Sequence, residues 1–149
     1  MASPSFSAVM HLLRAHARLE ERFAGELGAV HGLALKEALL LMHLESASRA
    51  RLSRIDLAKR LSTSPSTITR MTIPLEKLGL VGREADPRDA RLAYVVLTEP
   101  GHALVANART TLERLSAEVF RDRWTKQEIA SLAELLSRMT AGQPGDLSK

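Results

Sequence analysis

The stretch from residue 53 to residue 98 constrains this chain more than any other. It opens with Ser53-Arg54-Ile55-Asp56-Leu57-Ala58-Lys59-Arg60-Leu61 and continues with Ser64-Pro65-Ser66-Thr67-Ile68-Thr69-Arg70. After Leu75-Glu76-Lys77-Leu78-Gly79 come a charged turn, Asp86-Pro87-Arg88-Asp89-Ala90-Arg91, and a strand-like Leu92-Ala93-Tyr94-Val95-Val96-Leu97. Ser53 is placed to cap one short helix, with Asp56 three residues on in a capping-box arrangement. Ser64 caps the next, with Pro65 at the first helical position, where a missing N–H costs nothing. Leu57, Ala58 and Leu61 give the first helix a buried stripe; Ile68, Met71, Leu75 and Leu78 give the second an inward face. Gly79 is set to end that helix in a left-handed cap. Pro74, inside it, predicts a kink or a tightened last turn. Two helices, a sharp turn and a basic β-hairpin form a small domain that sets one helix in the major groove of DNA and the hairpin beside it.

Charge is concentrated in the same place. The net charge is +4. Residues 49 to 91 carry ten Lys or Arg against five Asp or Glu, a local balance of +5, while the rest of the chain balances to −1. A localised basic excess is the footprint of phosphate contacts. Aromatic residues make up only 3% of the chain, too few for a platform that stacks single-stranded bases. With no cysteine, disulfides and thiolate metal sites are excluded. No secretion signal and no apolar run of membrane-spanning length is visible, so the expected location is the cytoplasm and no membrane partner is expected.

The flanks read as helices. Val9, Leu12, Leu13, Leu19, Phe23 and Leu27 predict a first helix from Phe6 to about Leu27, preceded by a loose 1–5 and ended by Gly28 and Gly32. A second is expected over 34–45. Strands are expected over 80–84 and 92–97. Thr98 starts a long helix to about Arg121, with an apolar stripe of Leu104, Val105, Ala108, Leu112, Leu115 and Val119. The last helix opens on a full capping box, Thr125-Lys126-Gln127-Glu128, with Trp124 placed to staple against Ile129. Leu132, Leu135, Leu136 and Met139 continue its stripe, and the tail from Gly142 is expected to fray. The terminal helices carry more apolar surface than the middle domain can bury, which points to packing against another subunit.

These residues resemble the MarR family of bacterial transcriptional regulators. The likeness is close over about residues 33–101. Its specific part is the wing, Asp86 to Arg91, followed by Val96-Leu97-Thr98 and Gly101. The fifth wing position, often Gly or Arg in the family, is Ala90, and Pro74 stands where a polar residue is more usual. The resemblance implies a mainly α (α+β) fold: a winged helix-turn-helix with long dimerisation helices, about six helices and one small β-hairpin wing. The expected organisation is an N-terminal dimerisation helix (1–32), the DNA-binding domain (33–100) and C-terminal dimerisation helices (101–149). It implies a homodimer on near-palindromic operators, with repression relieved by a small-molecule effector. Alternative readings are an effector-independent or architectural DNA-binding regulator, or a zinc-responsive one.

The candidate DNA-binding residues are Arg54, Ser64, Ser66, Thr67, Thr69, Arg70, Arg88, Asp89 and Arg91. Arg70 suits bidentate contact with guanine, and short hydroxyls suit base edges or a thymine methyl. Ser64, Ser66 and the helix N-terminus suit a phosphate. Arg91 suits a narrow minor groove, Asp89 is read as the group that orients it, and Arg88 and Arg54 are placed for phosphate. His16 and His43 are candidates for an effector pocket. No metal site is expected: His11 and His16 lie about 140° apart around a helix, and no His-Cys or HExxH cluster exists. No cofactor is expected. Without a Gly-rich phosphate loop or nucleophile elbow, no enzymatic activity is expected either.

Overall fold

The computed structural model describes residues 1–149. The chain divides into two compact units, Met1–Leu35 and Lys36–Lys149.

The first unit is essentially one helix, α1 (Pro4–His31). It is longer at both ends than periodicity predicts. Ser3 accepts a hydrogen bond from the Phe6 N–H, with Pro4 in the first turn, so residues 4 and 5 are helical rather than loose. The helix passes through Gly28 and stops only at Gly32, whose φ of 67° is the left-handed conformation that ends helices. Phe6, Val9, Met10, Leu13, Leu19 and Val30 stay exposed along it.

The second unit holds α2 (Leu35–Ser46), β1 (Arg51–Ser53), α3 (Arg54–Arg60), α4 (Pro65–Lys77), β2 (Val81–Ala85), β3 (Ala93–Leu97), α5 (Glu99–Val119) and α6 (Lys126–Met139). The wing is therefore not a two-stranded hairpin. β1 joins it, giving an antiparallel sheet of order β1-β3-β2. The register pairs Leu52 with Val95 and Val81 with Leu97, four residues that all turn into the core. With Leu40, Leu41 and Leu44 of α2, Leu57 and Ala58 of α3, Ile68 and Leu75 of α4, and Val105, Ala108 and Leu115 of α5, they form a continuous apolar interior. Burying each of the larger side chains contributes roughly 1.5–3 kcal/mol. Arg109 of α5 and Glu45 of α2 add an ion pair at 2.8 Å.

Local signals set most boundaries. Ser53, Ser64 and Thr98 each accept from the backbone N–H three residues on, and Thr125 and Glu128 complete a reciprocal capping box. Helix α4 runs without interruption through Pro74 and ends at Lys77. Proline removes only the bond to the Arg70 carbonyl, four residues back and close to the helix end. Leu78 does not continue the inward face of α4. It is the C-cap of the helix, just past the last helical residue, and is 66% exposed. Gly79 takes φ 75° and turns the chain into β2. Trp124 meets the ring of Phe120 edge-on, with centroids 5.4 Å apart. On α6 the C-terminal part of the apolar stripe finds no cover: Leu135, Leu136 and Met139 are exposed, while Ile129 and Leu132 are half-buried. No single helix is long and apolar enough to cross a membrane.

Candidate nucleic-acid interface

The start of α4 gathers hydroxyl groups. Ser64 caps the helix by accepting the Thr67 N–H at 3.2 Å, and its Oγ also lies 3.0 Å from Ser66 Oγ and 2.9 Å from Thr67 Oγ1. Arg70 donates to Thr67 Oγ1 at 3.3 Å from an exposed position. Arg54, at the start of α3, reaches across to donate to Thr69 Oγ1 at 2.9 Å. Thus the six candidates of the helix-turn-helix form one surface on α3 and α4, which pack together and bury Leu57, Ala58, Ile68 and Leu75. The first-turn N–H groups of α4 and the positive end of its dipole open onto the same surface, a ready site for a phosphate.

Ile55 belongs to this surface and was not among the candidates. It is 53% exposed and lines a shallow cleft with Arg54, Pro65, Ser66, Thr69 and Arg70. An apolar side chain in that place matches a thymine methyl. The signal was available: Ile55 falls outside the stripe of Leu57, Ala58 and Leu61, so burial does not account for it.

The wing loop is held by two carboxylates. Asp86 accepts the Arg88 N–H on Oδ1 at 2.7 Å and the Tyr94 hydroxyl on Oδ2 at 2.8 Å. Asp89 accepts the Arg91 N–H at 3.0 Å. The Asp86 N–H donates to the Leu92 carbonyl, and the Leu92 N–H to that of Asp89. Asp89 is therefore tied to Arg91 through the backbone, whereas the sequence suggested orientation of the whole arginine. Arg88 and Arg91 are both exposed. The Arg88 N–H, and after it the Tyr94 hydroxyl, hold the Asp86 carboxyl below the usual carboxylate range. The same bond from the other side raises the Tyr94 phenol. Asp86 and Tyr94 were not singled out from the sequence; eight residues apart, they meet only because the hairpin folds back.

The two histidines proposed for an effector pocket sit in different settings. His16 is exposed on α1. His43, in α2, is 3% exposed, and its Nδ1 has no hydrogen-bond partner. Burial first, and the Arg60 cation second, push its pKa down to about 4. The ring is therefore neutral near pH 7. No group of three or more His, Asp or Glu side chains is arranged to hold a metal ion.

Comparison with known proteins agrees with this geometry. The sequence profile of the MarR family matches residues 33–92. An uncharacterized HTH-type transcriptional regulator of Bacillus subtilis (strain 168), YhbI, is 30% identical over 106 residues, covering 70% of this chain and 68% of that protein. The fold is shared with Sco3205, a MarR family regulator of Streptomyces coelicolor solved in complex with DNA. The TM-score is 0.82 at 24% identity, over 99% of this chain and 94% of that one. It is shared too with Bordetella bronchiseptica BpsR, whose DNA binding is regulated by 6-hydroxynicotinic acid. There the TM-score is 0.77 at 23% identity, over 91% of this chain and 94% of that one.

Proposed function

The chain belongs to the MarR family and is a transcriptional regulator, and on that premise we propose that it binds near-palindromic duplex operators as a homodimer. The observation that carries this reading is the single surface formed by Arg54, Ser66, Thr69 and Arg70, paired with a wing that exposes Arg88 and Arg91. The α4 N-terminus enters the major groove, where Arg70 reads guanine and Ile55 and the hydroxyls read neighbouring edges. Ser64 hydrogen-bonds to a phosphate, and Arg54 and Arg88 neutralise phosphate charge. Arg91 enters the adjacent minor groove, drawn by its enhanced negative potential where it narrows. The exposed apolar stripes on α1 and α6 support dimerisation. Two reading heads on a dyad match an inverted repeat with half-sites about one helical turn apart.

The regulator represses, and a small-molecule effector relieves repression. Support comes from the BpsR likeness, where a small aromatic acid regulates DNA binding.

The test is fluorescence-anisotropy titration against inverted repeats taken from the DNA flanking this chain's own coding region. Several phosphates neutralised per subunit predict a loss of affinity on the order of 10³-fold between 50 and 200 mM salt. A flat salt response would overturn the phosphate-driven reading.

A further inference from the structure

The sheet carries a chain of contacts that the reading surface alone does not explain. The register places Ser53, Tyr94 and Glu84 side by side across β1, β3 and β2, and Arg51, Val96 and Gly82 in the next row on the same face. Gly82 has no side chain, and a Cβ built on it would meet nothing within 4 Å. The Arg51 guanidinium lies 4.4 Å from the centre of the Tyr94 ring and forms an ion pair with Glu84 on the far strand. Only 17% of the Arg51 side chain is exposed. A cation over an aromatic face, anchored at its tip by a carboxylate, pins the ring from one side. The other end of the tyrosine then has a fixed direction, and it points at Asp86.

We infer that Tyr94 is the positioning residue of the wing: clamped by Arg51 and Glu84, it holds Asp86, and Asp86 holds the backbone from which Arg88 and Arg91 project. Asp86 has two oxygens and both are used, one on Tyr94 and one on the Arg88 N–H. Losing the tyrosine hydroxyl frees the carboxylate to rotate, and the Arg88 N–H loses its fixed acceptor. Of the two carboxylates that hold the loop, only Asp89 then keeps its backbone partner. Arg51 stands three residues before Arg54, the first residue of α3, so the clamp also ties the wing to the strand that leads into the helix-turn-helix. The consequence for DNA contact rests on the operator-binding reading above. The consequence for the loop does not.

Two measurements separate these. The first needs no DNA. Tyr94 is the only tyrosine, so phenolate absorbance reports its titration alone. In the parent protein the phenol titrates above its ordinary value of 10, and Asp86→Asn brings it back toward that value. ¹⁵N relaxation then compares the parent with Tyr94→Phe, which keeps the ring for Arg51. Backbone order parameters for residues 86–91 are expected to fall from near the rigid value of about 0.85 toward about 0.6, with far-UV circular dichroism unchanged. Unchanged order in this segment overturns the inference, as does a tyrosine titration indifferent to Asp86→Asn. The second measurement is operator binding. Tyr94→Phe is expected to weaken it about tenfold, most at A·T-rich flanks, with little further loss when combined with Arg91→Ala. Full, additive loss in the double variant counts against action through the wing. If the parent binds no duplex DNA, the functional reading fails while the relaxation data still decide the role of Tyr94.

Discussion

Gly101 lies so close to Leu80 that a methyl group on its Cα would stand 2.2 Å from the Leu80 carbonyl oxygen. It would also lie 2.5 Å from Leu97 Cδ1. This is where the first turn of α5 presses on the turn into β2, and the Leu80 carbonyl already accepts the Thr98 N–H. Gly101 itself donates to the Thr98 cap. Gly101→Ala is therefore expected to destabilise the fold by about 3 kcal/mol, the upper part of the range for overpacking against backbone that cannot retreat. Urea denaturation measures it. Gly82→Ala is the control, since its added methyl meets nothing, and its midpoint is expected to stay close to that of the parent.

His43 predicts a pH dependence of stability. Its pKa is about 4 in the folded chain against 6.5 for an unperturbed histidine. Between these values the unfolded chain binds a proton that the folded one refuses. Stability from this group is thus fully present above pH 6.5, declines as the pH falls, and is lost by about pH 4. In His43→Leu this part of the slope should vanish, which denaturation midpoints at pH 7, 5.5 and 4.5 would show. An unaltered difference between pH 7 and 4.5 would mean the ring is not held neutral by its surroundings.

Arg70→Ala and Arg91→Ala are expected to fail in different ways. Loss of Arg70 removes a bidentate base contact, costing roughly 1–3 kcal/mol and relaxing specificity at one position per half-site. Loss of Arg91 weakens binding most where A·T-rich flanks narrow the minor groove. Asp89→Ala partly mimics Arg91→Ala by releasing the Arg91 N–H. Titration of each folded variant against base-substituted operators separates them, and an Arg91→Ala protein that binds every operator like its parent removes the wing from the reading head.

Dimerisation through the terminal helices predicts a dimer mass in light scattering at micromolar concentration. Leu135 and Met139, 54% and 63% exposed on α6, are one helical turn apart. If a partner covers them, each contributes roughly 1.5–3 kcal/mol. Leu135→Asp with Met139→Asp, present on both protomers, then raises the dissociation constant on the order of 10⁴-fold or more. If they face water in the native state, the double change leaves the mass as it was.

The sequence was most legible where a residue acts on its own neighbours. Ser53, Ser64, Thr98 and Thr125 cap helices by reaching three residues along the chain, and Gly79 turns because it lacks a Cβ, so no distant partner is needed to foresee them. Strand β1 was not foreseen, because Arg51–Ser53 are a strand only through pairing with β3 some forty residues on. Tyr94 and Asp86 escaped for the same reason. The burial of His43 did have a signal. Helix α2 is apolar on nearly every side from Ala38 to Leu44, and a helix apolar all round buries whatever polar residue it contains.

Ser53 is at once the last residue of β1, the cap of α3 and the strand partner of Tyr94. No linker separates the sheet from the helix-turn-helix, so neither can tilt without breaking the other. In the proposed complex, the spacing between the two points of contact with a half-site is thereby fixed in the backbone. A DNA sequence with the right major-groove bases, but with its narrow minor groove displaced by a single base pair, satisfies one contact at the expense of the other. Search for binding sites should therefore treat each half-site as a word of set length, in which the interval between the two features counts as much as the letters.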